Sequence, residues 1–148
     1  MGLLMRRTAV VLATLFTVLA GSVVSADAGV TDYSIWLYYG PVAGITYQNQ
    51  SSISTNSIMT GGVTVEPKNG ATIPGGWSGG QASIYLNGAL CSSAAMYYYP
   101  DSTAYGWSGG ITVRNCGSGN YTARGSTAAY NGSGYNYYYT ATSPILTH

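Results

Sequence analysis

Two copies of one pentapeptide, Gly76-Trp77-Ser78-Gly79-Gly80 and Gly106-Trp107-Ser108-Gly109-Gly110, satisfy the pattern G-x-S-x-G. That pattern can set a nucleophilic serine on a strained turn between a buried strand and a helix, above an oxyanion hole. Asp101 and His148 follow Ser78 in the order acid, then histidine. The chain offers no helix for such a turn, however, and its single histidine is the last residue, where fraying defeats a general base. The repetition of the pentapeptide points instead to a loop form used twice. A second chemistry, two carboxylates flanking a glycosidic bond, would fall to Glu66 and Asp101. Each adjoins a proline at the end of an apolar run, a position that suits a solvated turn acid. Neither a calcium site nor a phosphate-binding loop is expected, because the acids are scattered and no Gly-rich loop carries a lysine. The sequence thus predicts no catalytic residue, no cofactor and no metal.

Cys91 and Cys116 are the only cysteines. With no histidine nearby they cannot complete a tetrahedral metal shell, so a disulfide is expected, stabilising by about 3 kcal/mol for a loop of this size. The compartment fits. Met1 to Arg7 carries two arginines, an uncharged apolar run follows from Thr8 to Gly21, and Ala26-Asp27-Ala28 is an A-x-A cleavage site. This is the layout of a secretory signal peptide over residues 1–28, leaving one domain over 29–148 and no membrane association after cleavage. An extracellular location is therefore expected.

Beyond Ala28 three acids, Asp32, Glu66 and Asp101, face three bases, Lys68, Arg114 and Arg124. No basic patch is available to neutralise phosphates, which argues against nucleic acid as a partner, and no field steers a charged substrate. What the chain has in quantity is tyrosine. Fifteen tyrosines and three tryptophans all lie after residue 28, and phenylalanine is absent there. Short alternating runs separated by Gly, Asn, Ser and Pro carry these rings, with no helical periodicity. The runs begin at Tyr33, Ala43, Gly61, Ala82, Gly110, Asn120 and Tyr135. They predict an antiparallel β-sandwich, immunoglobulin-like or jelly-roll-like, of seven to eight short strands. Asn69-Gly70 and Asn87-Gly88 are read as type I′ hairpin turns, and Pro41, Pro67, Pro74, Pro100 and Pro144 as ends of runs. Residues 49–60, NQSSISTNSIMT, are read as a polar connection with an edge strand.

The segment GSGNYTARG resembles the start of strand F in immunoglobulin-like domains, where a tyrosine after a glycine turn bonds back to the backbone. The order Cys91, Trp107, Cys116 echoes the same fold, but a step of nine residues from Trp107 to Cys116 leaves no room for the intervening strands. The resemblance covers about a tenth of the chain and implies a sandwich without implying the family.

Alternation forbids Tyr137, Tyr138 and Tyr139 from all facing the core. A three-residue loop at Gly132-Ser133-Gly134 would pair odd with odd positions, putting Tyr137 and Tyr139 over Ala129, Thr127 and Gly125, and Tyr138 outside with Arg124 and Tyr130. Exposed aromatics among Asn, Ser and Gly suit uncharged polar ligands, above all sugars, whose apolar ring faces stack on Tyr and Trp. The expected binding residues are Trp77, Trp107, Tyr98, Tyr105, Tyr130 and Tyr138, with Arg124 as a hydrogen-bonding or cation–π partner. Trp77 and Trp107 also fit lids over the ends of the sandwich. The reading that follows is non-catalytic binding to a neutral polymer such as a cell-wall or environmental polysaccharide. Self-association into a structural or surface layer is the main alternative, since few charges keep edge strands apart, and a secreted antibacterial factor acting on a cell envelope rests on the same surface.

Overall fold

The computed structural model describes residues 29–55, 58–101, 107–113 and 116–148, except the side chains of 107, 108 and 110–113. The described residues form eleven antiparallel strands and one disulfide. In chain order the strands are β1 (Val30–Tyr33), β2 (Leu37–Val42), β3 (Ile45–Thr55), β4 (Met59–Pro67), β5 (Ser78–Leu86), β6 (Ala89–Ser93), β7 (Tyr97–Tyr98), β8 (Trp107–Val113), β9 (Asn120–Tyr130), β10 (Tyr135–Tyr139) and β11 (Leu146–Thr147). Sheet 1 runs β1-β3-β4-β8, with β2 also paired to β3. Sheet 2 runs β10-β9-β5-β6, with β11 on β9 and β7 on β5. Several edge strands are therefore short pieces laid end to end along one long neighbour. Counted by position, each sheet is four strands wide, at the upper end of the seven to eight strands expected.

Strict alternation builds the core. On β3 the inward residues are Tyr47, Asn49, Ser51 and Ile53, and on β4 they are Met59, Gly61, Val63, Val65 and Pro67. Sheet 2 answers with Ala82 and Ile84 on β5, and Tyr121, Ala123, Thr127 and Ala129 on β9. Two apolar clusters result. Val42, Tyr47, Val63, Val65, Ile73, Ala82 and Ala129 fill one end, and Ile53, Met59, Ile84, Tyr121 and Ala123 the other, with both half-cystines packed against the second. Between them lies a polar belt. Asn49 Nδ2 donates across the gap to Thr127 Oγ1 at 2.8 Å, and Ser51 Oγ lies 2.7 Å from the Ala141 carbonyl and 3.1 Å from that of Ala123.

This belt corrects the reading of residues 49–60. Of the described residues in that stretch, 49–55 belong to the central strand β3 and 59–60 open β4. Its inward positions Asn49 and Ser51 are polar and internally bonded, so the hydrophobic period that marks a buried strand is missing although the alternation of burial is regular. The run from Tyr33 is also divided, into β1 and β2. Pro41 sits inside β2 rather than at its end, where the pairing with β3 shifts register on an edge strand. Asn87 and Gly88 adopt positive φ, as expected for a type I′ turn. At Asn69-Gly70 only the glycine does, and a second two-residue turn at Ala43-Gly44, both at positive φ, joins β2 to β3 instead. Neither copy of the pentapeptide is wholly a loop: Ser78–Gly80 open β5 and Trp107–Gly110 open β8, in different sheets.

The disulfide joins Cys91 on β6 to Cys116, just before β9, with Cα atoms 6.1 Å apart. The buried Tyr121 donates its hydroxyl to the Gly117 carbonyl, the backbone bond expected of a tyrosine placed after a glycine turn. The sheets interlock at two points. A Cβ on Gly61 would lie 2.6 Å from Ile84 Cγ1, and one on Gly125 would lie 2.6 Å from Val63 Cγ1 and 2.0 Å from the Gln81 carbonyl oxygen. Gly125→Ala should therefore force the strands apart and destabilise by about 1–3 kcal/mol. A fall in the urea midpoint of the oxidised protein measures this, and an unchanged midpoint would show that the gap accommodates a methyl group. Reduction of Cys91–Cys116 is expected to cost about 3 kcal/mol in the same assay.

Candidate ligand-binding face

The hairpin of β9 and β10 sets the site. Four residues connect the strands, Asn131 to Gly134, because Asn131 Oδ1 accepts from the amides of Ser133 and Gly134, each at 3.0 Å, while Asn131 N donates to the Gly134 carbonyl at 2.9 Å. Tyr135 then pairs with Tyr130, Tyr137 with Ala128 and Tyr139 with Ser126, so odd positions face even ones. This reverses the expected register and corrects the placement of Tyr138. Tyr138 turns inward, half-buried, with its ring stacked on Tyr39 at 3.7 Å between centroids. Tyr137 and Tyr139 point out, 57% and 84% exposed.

Across sheet 2 one row of paired residues reads Tyr98, Gly79, Ala128, Tyr137. Directly paired residues share a face, so the two tyrosines flank a floor made of the two smallest side chains. A Cβ on Gly79 would lie 2.8 Å from Tyr98 Cδ1, which places the Tyr98 ring across the glycine. The two phenol oxygens meet at 2.9 Å and close an arch over Gly79 and Ala128. Tyr135 packs against Tyr98 at 4.4 Å and against Tyr130 at 5.6 Å, and Tyr130 tilts against Trp77 at 5.4 Å. Tyr135 also donates its hydroxyl to the Gly76 carbonyl at 2.6 Å. Five rings thus form one continuous patch at this end of the sheet.

Along the same outer face the chemistry becomes polar. Gln81, Ser83, Arg124, Ser126, Tyr85 and Tyr139 line an open groove of about 460 Å³. Its walls are Tyr139 on β10 and Tyr85 on β5. Arg124 reaches back over Tyr85, its guanidinium carbon 4.4 Å from the ring centroid. From Thr122 to Tyr130 the face extends about 26 Å along β9 at about 3.3 Å per residue, the span of an oligomer rather than of a single small molecule.

Of the residues expected to bind, Trp77, Tyr98, Tyr130 and Arg124 come together on this face. Tyr138 lies beneath it. Tyr105 and the Trp107 side chain are outside the described residues, and the backbone of Trp107 belongs to the opposite sheet. Tyr135, Tyr137, Tyr139 and Tyr85 complete the surface; the signal for the first three was the hairpin register, which turns on one asparagine, and for Tyr85 the alternation of β5. The residues that suggested hydrolysis are dispersed. Ser78 is buried and pairs with Ala129, whereas Thr147, next to His148, pairs with Asn120 at the far end of β9, about 30 Å away. Among the described residues no group of three His, Cys, Asp or Glu is placed to hold a metal ion, and no helix is long and apolar enough to cross a membrane.

Comparison with protein-family models, with curated proteins and with solved structures finds no match.

The tyrosine hydroxyls respond to this packing. Tyr98 is pushed up to about 12, first by its hydrogen bond to Tyr137 and then by desolvation. Burial raises Tyr39, partly offset by its bond to Thr127, and burial alone raises Tyr47. Each folded-state value lies above the ordinary one of about 10, so these groups stabilise the fold fully below that pH and lose the contribution as pH rises. Stability is therefore expected to fall between roughly pH 10 and 12. Tyr39→Phe, which keeps the stack but cannot ionise, should flatten that fall in alkaline denaturation curves. A wild-type curve already flat to pH 12 would rule this coupling out.

Proposed function

We propose that this is a small secreted, non-catalytic binding protein whose outer face on sheet 2 holds a polysaccharide chain of a cell wall or of the surroundings. One observation carries the reading. A run of half-buried rings, Tyr98, Tyr130 and Tyr135, flanked by the exposed Tyr137 and Tyr139, leads into hydroxyl and amide groups over a length suited to several sugar units. Rings supply stacking area for the apolar faces of sugars at little entropic cost, and Gln81, Ser83 and Ser126 supply partners for their hydroxyls. Few charges adjoin the rings, Arg124 along the face and Asp101 near its Trp77 end, which fits a ligand that is mostly neutral. Export agrees with the disulfide and with the signal-like leader.

Self-association is the second reading, favoured by a different place. Val30, Tyr33, Ile35, Leu37 and Tyr38 are exposed along the β1–β2 edge of sheet 1, an apolar strip on strands with an open side. Affinity electrophoresis through gels of soluble glucan, chitin oligosaccharide conjugate or peptidoglycan fragments separates the two. The double variant Tyr137→Ala, Tyr139→Ala should lose retention about tenfold or more, as for two buried-on-binding aromatic contacts each worth over 1 kcal/mol. Tyr38→Ala, on the other sheet, should be retained like wild type. Retention unaffected by the double variant would overturn the proposed face. Concentration-dependent growth of large species in sedimentation velocity without any glycan, abolished by Tyr38→Ala, would favour self-association.

A further inference from the structure

We propose that the groove beside Arg124 is a subsite for one carboxylate-bearing sugar within an otherwise uncharged polysaccharide. The inference rests on the polysaccharide reading and adds to it the chemical class of the ligand. Three side-chain carboxylates follow residue 28, and none of them answers this cation. Asp32 lies on β1 and Glu66 on β4, where Gln48 donates to it, both in sheet 1. Asp101 follows Pro100, whose carbonyl lies over Gly75 at the opposite end of sheet 2. Arg124 forms no ion pair with any described residue, and what holds its side chain is the ring of Tyr85.

That mode of anchoring matters chemically. Placing the guanidinium over a ring engages its face and leaves the N–H donors in its plane free, the geometry that accepts both oxygens of a carboxylate. The side chain is also held before the ligand arrives, so less rotamer freedom is lost on binding. Around it the groove offers the hydroxyls of Ser83 and Ser126 and the Oε1 acceptor of Gln81. Ser126 faces Gln81 across the β5–β9 ladder, and Gln81 and Ser83 are themselves fixed by Ser93 and the Ala94 carbonyl. Tyr139, the most exposed ring of the molecule's described surface, stands on the far wall, ready to stack on the pyranose that carries the acid.

The number of cations sets the spacing of charges in the ligand. Along the described face, Arg124 is the one cation among rings, hydroxyls and amides. A polyuronate with a charge on every unit would leave its other carboxylates desolvated against aromatic carbon, which is costly without a partner. A chain bearing one acidic unit among several neutral ones, as a branch or at intervals, avoids that cost.

Calorimetric titration of the oxidised protein tests this with three matched pairs of probes. These are a xylo-oligosaccharide carrying one glucuronic acid, a sialylated N-acetyllactosamine oligomer and a chito-oligosaccharide carrying one N-acetylmuramic acid, each beside its carboxyl methyl ester. At least one acid should bind at least tenfold more tightly than its ester. Arg124→Gln should abolish that difference by bringing the affinity for the acid down to that for its ester, and Arg124→Lys, which keeps the charge without the planar fork, should restore only part of it. Thermal melting of both variants, expected to match wild type because Arg124 is exposed, excludes a folding effect. Equal binding of acids and esters, or a difference that survives Arg124→Gln, overturns the subsite and leaves polysaccharide binding standing. Failure of every probe in both forms overturns both.

Discussion

The distance between the two sheets governs everything else in this molecule, and glycine sets it. Gly61 receives Ile84 from the facing sheet, and Gly125 receives Val63 in the opposite sense. Each large aliphatic side chain fills the space a Cβ would have taken, so the layers lock at two points. Only at that separation can a side chain as short as Asn49 reach Thr127, and Ser51 reach the backbone of β9 and of the segment after β10. The polar belt is thus a consequence of close approach. It is incompletely satisfied, since Asn49 Oδ1 and the Tyr47 hydroxyl are buried among described residues that give them no partner. Each such group costs about 1–3 kcal/mol, which the interlocked apolar clusters on either side must offset.

Close sheets also explain where the tyrosines go. The interior admits Tyr47 and Tyr121 whole and parts of Tyr39, Tyr99 and Tyr138, and the close approach of the sheets holds the remaining rings outside it. Gly79, Ala128 and Ser126 are equally small on the outer side, so rings from the flanking strands β7 and β10 fold over them. The binding face is the outer counterpart of a thin core.

How much of this could be read from the sequence depends on what carried the signal. The sandwich, the disulfide and the Asn87-Gly88 turn were legible because alternation, cysteine count and turn chemistry act locally. The central strand β3 was not, because Asn49 and Ser51 occupy core positions that a hydrophobic pattern assigns to solvent. Tyr138 was misplaced by one residue of loop length. Asn131 closes a four-residue turn through its side chain, and since the side-chain period of a strand is two, that single residue exchanges the faces of the whole tyrosine triplet. Arg124 and Tyr130 were placed correctly on the outside because they lie on β9, whose alternation does not depend on the loop.

The position of the disulfide bears on how the protein meets proteases. Cys91 and Cys116 bracket the stretch that leaves sheet 2, crosses to sheet 1 as β8 and returns. A cut at any peptide bond between them yields two pieces that remain covalently joined. The exposed turn around Pro100 and Asp101 lies inside that bracket. Tyr98, on the amino-terminal side of such a cut, would still be paired through β7 to Gly79 and remain opposite Tyr137. A chain nicked there keeps its aromatic arch, a form of durability that depends on connectivity rather than on folding free energy.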